Sequence, residues 1–351
     1  MRGMQKTEVR SPYNNPLLMD SSWSETLHKI GARIEYGVVR DFGNPTAERQ
    51  AAQSSKIFAD LSHLATLHFS GKDAESFLQG QLSCDVKAIP QGGSSLGSYC
   101  TAKGRMLASF TLLRTQDEFV MLLSASIAAA IQKRLSMFVL RSQIKIDMPG
   151  DNIVLIGFAG PACRDTCVES FDGAIPANLR LFELAGGRLL LLVPLSAAPA
   201  TLTRIRTRFI PVGSGDWQWI DISLGIPLIT AATQDQLIPQ MVNMELIGGV
   251  SFKKGCYTGQ EIVARTQYLG KVKRRMYHAY LEVEASPGDE LFSDDLGAQA
   301  SGVVVNAQPA PGGGCDLLAV AQVGSHDSST VHLKSLDGPA LKFMTLPYDI
   351  T

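Results

Sequence analysis

Beyond Gly270 this chain carries almost no helical pattern, and that break constrains its fold more than any other feature. The segments RRMYHAYLEVE (274–284), ELFS (290–293), ASGVVVNAQ (300–308), DLLAVAQV (316–323) and STVHLK (329–334) are short and separated by turn residues. They predict a small antiparallel β unit over 271–351, with PAPGGG (309–314) as a surface loop between strands.

Upstream, strands and helices alternate. Over 55–150, LATLHFSG alternates like a strand and KDAESFLQGQL reads as a short helix. GSYCTAKGRMLASFTLLRT reads as two strands about a turn at Lys103 and Gly104, and EFVMLLS as another strand. A helix over 126–139 puts Ile127, Ile131 and Leu135 on one face, before a strand in SQIKIDM. Over 151–210 a related order returns: strand NIVLIGFAG, helix PACRDTCVES with proline in its first turn, hairpin RLFELAGGRLLLLVP about Gly186 and Gly187, and helix APATLTRIRTRF. This rhythm predicts an α+β chain with split βαβ, ferredoxin-like modules, the 55–150 unit being completed by about 211–270. Residues 1–54 hold the first elements, with a loose leader to about Leu18.

At 351 residues and 45% hydrophobic composition, the chain has room for two or three folded units. Its net charge of −1 gives no global footprint for polyanions, so direct nucleic-acid binding is not expected and any basic patch must be local. Six scattered cysteines read as reduced thiols rather than a secreted disulfide scaffold. The longest apolar runs, such as LLLLVPL, are too short to cross a bilayer, and the opening residues do not resemble an export signal. A cytoplasmic setting follows as the expectation.

Most of the chemistry is concentrated in GGVSFKKGCYTGQEIVAR, residues 248–265. GGVSF reads as a short strand and KKG as a turn. Thr258 and Glu261 have capping-box spacing ahead of a helix that runs to about Leu269 and stops at Gly270. Cys256 thus precedes a helix N-terminus and follows Lys253 and Lys254, a setting that favours thiolate over thiol. The same residues also describe an ordinary tight turn in which Cys256 only fills space.

Other constellations carry less. Cys163 and Cys167 lie one helical turn apart without further ligands nearby, and the six histidines show no metal spacing, so no metal site is expected. GGVSFKKGC lacks the GxxxxGK[ST] order of a phosphate loop. Lys271, Lys273, Arg274 and Arg275 extend a basic edge from Lys253, Lys254 and Arg265. That edge suits an anionic tail, an acidic partner or RNA phosphates, and equally a solvated strand end.

The stretch GGVSFKKGCYTGQEIVARTQYLGKVKRR, with its KGCYTGQE core at Lys254 to Glu261, closely resembles the signature of the YgfZ family of folate-binding proteins. These are relatives of the aminomethyltransferase (T-protein) of glycine cleavage. FLQGQLSCDV from Phe77, YCTAKGRMLASFTLLR from Tyr99, WQWIDISLGIPLI from Trp217 and LIPQMVNMELIGGVSF also resemble the family. The likeness covers 61–275 well and the C-terminal β unit more loosely.

The resemblance implies a T-protein-like ring of three domains about a folate-binding channel, closed by a C-terminal β-barrel. It implies support of iron–sulfur cluster assembly or repair in [4Fe-4S] enzymes, including radical enzymes that modify tRNA, with tetrahydrofolate or a derivative as ligand. Iron–sulfur client or assembly proteins are the implied partners. By position, Cys256 would be the functional thiol, acting on a folate-borne or persulfide group or transiently ligating iron. Lys254 and Gly255 would set its turn, and Tyr257, Gly259, Gln260 and Glu261 would complete the motif; on physical grounds, a thiolate at Cys256 would be held by Lys253 and Lys254. Trp217, Lys254, Gly255 and Arg265 would bind folate, with Trp217 offering an aromatic face and Leu64 standing where some relatives have a second tryptophan. The T-protein's catalytic carboxylate falls at Ala108 and Ser109, so aminomethyl transfer lacks its acid/base group here. A tetrahydrofolate-dependent one-carbon transferase remains the alternative, and a pure scaffold the third reading.

Overall fold

A computed structural model of the chain describes residues 19–350. The expected leader to Leu18 lies outside the described residues. The fold is built on three main sheets and a short hairpin, Arg33–Glu35 with Val38–Asp41.

The first sheet is wholly antiparallel, in the order Ser94–Cys100, Met106–Arg114, Glu118–Ser124, Leu64–Ser70, Lys145–Asp147. Helices Ala74–Gln81 and Ala125–Ser136 cover one of its faces, and Ile127, Ile131 and Leu135 are buried there at the expected spacing. Strand alternation sends Ala108 and Leu112 into that covered core and turns Ser109, Thr111 and Leu113 the other way.

The second sheet runs Arg180–Leu184, Arg188–Pro194, Ile153–Ala159, Ile57–Asp60, Ile210–Val212, with a single parallel pairing between the last two. Helices Ser21–His28, Cys163–Glu169 and Ala198–Ile205 pack on one face. Its opposite face, through Leu155, Leu190 and Leu192, meets Leu113, Val120 and Leu122 of the first sheet. Trp217 and Ile220 of helix Ser214–Ser223 seal the same core.

The C-terminal sheet has six antiparallel strands, in the order Val331–Leu333, Glu290–Ser293, Ala300–Pro309, Cys315–Gln322, Arg274–Leu281, Lys342–Met344. Its two edges are joined by one segment. Leu333 N–H donates to Pro339 O and Leu341 N–H to Val331 O, and the next residues pair with His278–Tyr280. The sheet therefore curls into the expected barrel, an arrangement that leaves few free edge groups. A short helix, Val323–Ser328, interrupts it, which the β pattern did not predict.

Three local expectations fail. Residues 248–252 form no strand, because Ser251 N–H donates to Ser83 O and Gly249 O accepts from Ser83 Oγ, so the segment is tied to a turn. Pro161 precedes its helix, which begins at Cys163 after a left-handed Ala162. The capping box is absent: the helix is Gln260–Leu269, its cap is Gly259 at φ +86°, and no side chain bonds the helix start. A Cβ on Gly259 would stand 2.4 Å from Thr101 O, so close backbone contact with the 101–104 turn, rather than a threonine cap, sets this start.

Candidate functional site: a thiol loop and a central cavity

Three motif stretches that lie far apart in sequence meet around Cys256. The last turn of helix Ala74–Gln81 and the residues after it present the carbonyl oxygens of Gln79, Leu82 and Cys84, and Lys254 Nζ donates to all three at 2.7, 2.6 and 2.9 Å. Buried Ser83 and Ser98 hydrogen-bond to each other, and Ser83 Oγ also holds Gly249 O at 2.6 Å. On the far side, Gly104 packs under Ile262 and Gly259. FLQGQLSCDV and YCTAKGRM are thus the seat into which the KGCYTGQE loop is pressed.

Within this seat the motif residues separate into anchors and presented groups. Lys254 is 8% exposed, and its ammonium is consumed by the three carbonyls, so it is not free to hold the Cys256 thiolate as its charge and position in the sequence suggested. Burial pushes its pKa down to about 8 against the opposing pull of Cys84 and Asp85. Tyr257 is buried, lies with its ring 5.1 Å from Lys254 Nζ, and keeps an Oη without a hydrogen-bond partner. Burial raises its phenol above the usual range. Gly255, Cys256, Lys253 and Glu261 are exposed, Gln260 is half-buried, and Arg265 is exposed along the helix. Of the six cysteines, all of them described, Cys256 alone is exposed. Burial raises the thiols of Cys84 to about 11 and of Cys100 and Cys167 to about 12, which keeps them protonated. Cys163 and Cys167 are buried helix residues, and the described residues contain no group of side chains arranged to hold a metal.

A separate cavity of about 350 Å³ opens where the first and second sheets meet the 226–248 segment. Leu64, Ser109, Arg188, Trp217, Asp221 and Ile247 are among its lining residues. Trp217 and Asp221 are four residues apart on helix Ser214–Ser223 and so share a face. Arg188 shares strand parity with Leu190 and Leu192, which turns it inward. Its guanidinium lies 4.6 Å from the Trp217 ring centroid, its Nε donates to Ala185 O at 3.1 Å, and Nη1 stands 2.8 Å from Asp221 Oδ1. That last approach makes Arg188 and Asp221 an ion pair in the cavity wall. Burial raises the Asp221 carboxyl while Arg188 opposes it.

Trp217 is therefore in the cavity wall, but it is 2% exposed, Arg188 covers its ring, and Gly157 packs so closely that a Cβ would stand 2.6 Å from the indole. Leu64 lines the same cavity. Ser109 stands where a catalytic carboxylate was sought, and its hydroxyl instead links Pro227 O and Ile229 N–H at 2.9 and 2.8 Å, while Ala108 is sunk in the first core. Neither Cys256 nor Arg265 lines the cavity. Ile247 and Gly248 do, and the chain runs from them directly into the cysteine loop. Arg188 and Asp221 escaped the sequence reading. Their signal was a lone charge in apolar company, GGRLLLLVP and WIDIS.

The model of the GCVT N-terminal domain matches residues 32–182. The chain is 32% identical over 321 residues to the tRNA-modifying protein YgfZ of Pectobacterium atrosepticum, covering 88% of this chain and 95% of that one. It is 28% identical over 303 residues to the tRNA-modifying protein YgfZ of Colwellia psychrerythraea, covering 83% and 93%. Among solved structures, the glycine cleavage system aminomethyltransferase T of Bartonella henselae superposes with a TM-score of 0.72 at 17% identity, over 93% of this chain and 96% of that one. That likeness establishes the T-protein-like fold, while the sequence kinship, which extends through both the cysteine loop and the cavity, is closer. The chain belongs to the YgfZ family.

Proposed function

We propose that this protein is a folate-binding accessory factor that supports assembly or repair of iron–sulfur clusters in [4Fe-4S] enzymes, tRNA-modifying radical enzymes among them, with Cys256 as its functional thiol. The observation that carries the reading is the exposure of Cys256 alone among six cysteines, on a loop pinned by Lys254 and continuous with the wall of the cavity. Relatives named as tRNA-modifying proteins support the context.

The cavity fits a reduced folate. Leu61, Leu64 and Leu122 supply apolar walls for a flat heterocycle, and the Arg188–Asp221 pair supplies polar groups in the same wall. Arg188 and Asp221 would hold the polar edge of the pterin, with Trp217 setting the guanidinium plane. Tetrahydrofolate, when bound, supplies a carrier for one-carbon units. Lys254 and Tyr257 anchor the thiol loop, Gly255 turns it outward, and Gln260, Glu261 and Arg265 follow on the helix that leaves it.

A one-carbon transferase has one observation in its favour, the Asp221 carboxyl inside the cavity. Its pairing with Arg188 engages that group in binding rather than proton transfer. Calorimetric titration with tetrahydrofolate tests the folate half: wild type and Cys256→Ser bind alike, and the paired replacement Arg188→Met with Asp221→Leu binds poorly. Equal binding by all three would remove the cavity from the account. Turnover of an aminomethylated or methylated amine by the wild-type chain would favour the transferase.

A further inference from the structure

The net charge of −1 conceals a segregated surface. From Phe252 to Arg274 the chain carries Lys253, Arg265, Lys271, Lys273 and Arg274 besides the caged Lys254, against a single carboxylate, Glu261. None of those five cations has a carboxylate within ion-pair distance among the described residues, whereas the next residue, Arg275, is paired with Glu245. Lys103, at the turn that packs on Gly259 and Ile262, is exposed beside the same helix and has no ion-pair partner among the described residues. Asp327 and Asp349 border the adjoining cleft lined by Lys271, and Asp327 is engaged by His326 at 2.8 Å.

An aromatic ring is set among these charges. Tyr268 is 69% exposed, and its orientation is fixed by edge contact with Phe252, whose centroid lies 5.9 Å away. That contact brings the end of helix Gln260–Leu269 back against the residue preceding Lys253. The ten-residue helix spans about 15 Å, with the Cys256 loop at one end and Tyr268, Lys271 and Lys273 at the other.

We propose that this surface binds RNA, with Lys253, Arg265, Lys271, Lys273 and Arg274 on phosphates and Tyr268 stacking an unpaired base. The composition separates RNA from an acidic protein partner. Protein interfaces are depleted in lysine and gather around a broad apolar centre, whereas here three of the five unpaired cations are lysines and the segment's own exposed large apolar side chains are Tyr268 and Leu269. Cations tracking a backbone beside a solvent-facing ring are the arrangement that single-stranded loops require. The inference rests on the charge distribution and extends the tRNA context of the proposed function. It does not depend on Cys256 chemistry or on folate.

The test titrates the full chain with fluorescently labelled, unfractionated tRNA between about 50 and 200 mM salt, a range over which phosphate contacts weaken measurably. Binding is expected with a log–log salt dependence of about 0.7 to 0.9 per neutralised phosphate, falling by about 1.5 in Lys271→Ala/Lys273→Ala. Tyr268→Ala is expected to weaken binding about tenfold with the salt slope unchanged. Arg204→Ala/Arg208→Ala, the same charge change elsewhere on the surface, leaves binding as in wild type. Absence of binding at low salt, equal loss in the Arg204/Arg208 control, or displacement of tRNA by poly-L-glutamate at matched charge would each overturn the proposal. Tetrahydrofolate titration of the same variants reports an intact cavity, so failure here is distinguishable from failure of the folate reading.

Discussion

Lys254 Nζ, two residues before the exposed Cys256, lies 2.6 Å from the carbonyl oxygen of Leu82, across a separation of nearly half the sequence. The lysine of the motif is thus a structural clamp on the thiol loop. A buried ammonium that satisfies three otherwise orphaned carbonyls is costly to remove, because each acceptor is left without water or a donor.

Lys254→Met is expected to lower stability by about 3 kcal/mol, measured by urea unfolding, and to expose the adjacent buried Tyr257 to limited chymotrypsin digestion under native conditions. An unchanged midpoint and cleavage pattern would show that the clamp is not holding the loop.

Gly259→Ala combines a left-handed backbone with a Cβ 2.4 Å from Thr101 O. It is expected to cost at least about 2 kcal/mol, whereas Thr258→Ala, which removes no cap, should lie within about 0.5 kcal/mol of wild type. A larger loss for Thr258→Ala than for Gly259→Ala would restore the capping box.

The buried ion pair in the cavity wall gives a double-variant test. Arg188→Met strands Asp221 and is expected to lose about 3–5 kcal/mol, while adding Asp221→Leu should recover most of that loss. Additive losses in the double variant would mean that the two side chains act independently.

Two buried groups set opposing pH dependences. Burial pushes the His63 pKa down to about 3 from 6.5, so between those values the unfolded chain binds the extra proton and stability falls as the pH drops. His63→Leu should flatten the acid limb of stability against pH by up to about 1.4 kcal/mol per pH unit within that window. Asp216, buried at the start of the Trp217 helix near Glu48, is pushed up to about 7 from 3.8. The folded chain therefore holds that proton more tightly, and stability declines as the pH rises through the window. Asp216→Asn is expected to unfold later than wild type at pH 8 and together with it at pH 4, checked by thermal melts at both.

How legible the molecule was in its sequence depended on the range of the interaction that decides each element. The helix with Ile127, Ile131 and Leu135, the hairpin about Gly186 and Gly187, and the strands of the C-terminal region, though not its short helix Val323–Ser328, were readable because local periodicity and turn residues determine them. The Cys256 loop was readable as a motif but not as geometry. Lys254 looked like a partner for the thiol until the carbonyls of Gln79, Leu82 and Cys84, some 170 residues away, claimed it. Gly259 likewise overrode the Thr258–Glu261 spacing through contact with a distant turn. Trp217 lines a cavity, yet only the fold could show that Arg188 lies over its ring. Arg188 and Asp221 are invisible to periodicity because each sits on a well-patterned element as its one exception.

The central claim is that Cys256 is a working thiol in maintaining [4Fe-4S] enzymes. It is tested most directly by quantifying methylthiolated tRNA nucleosides by mass spectrometry in a host lacking its own YgfZ relative, rescued with wild type, Cys256→Ala or Cys84→Ala at matched protein level. The account predicts restoration by wild type and Cys84→Ala and a deficit with Cys256→Ala, whereas full restoration by Cys256→Ala would contradict it.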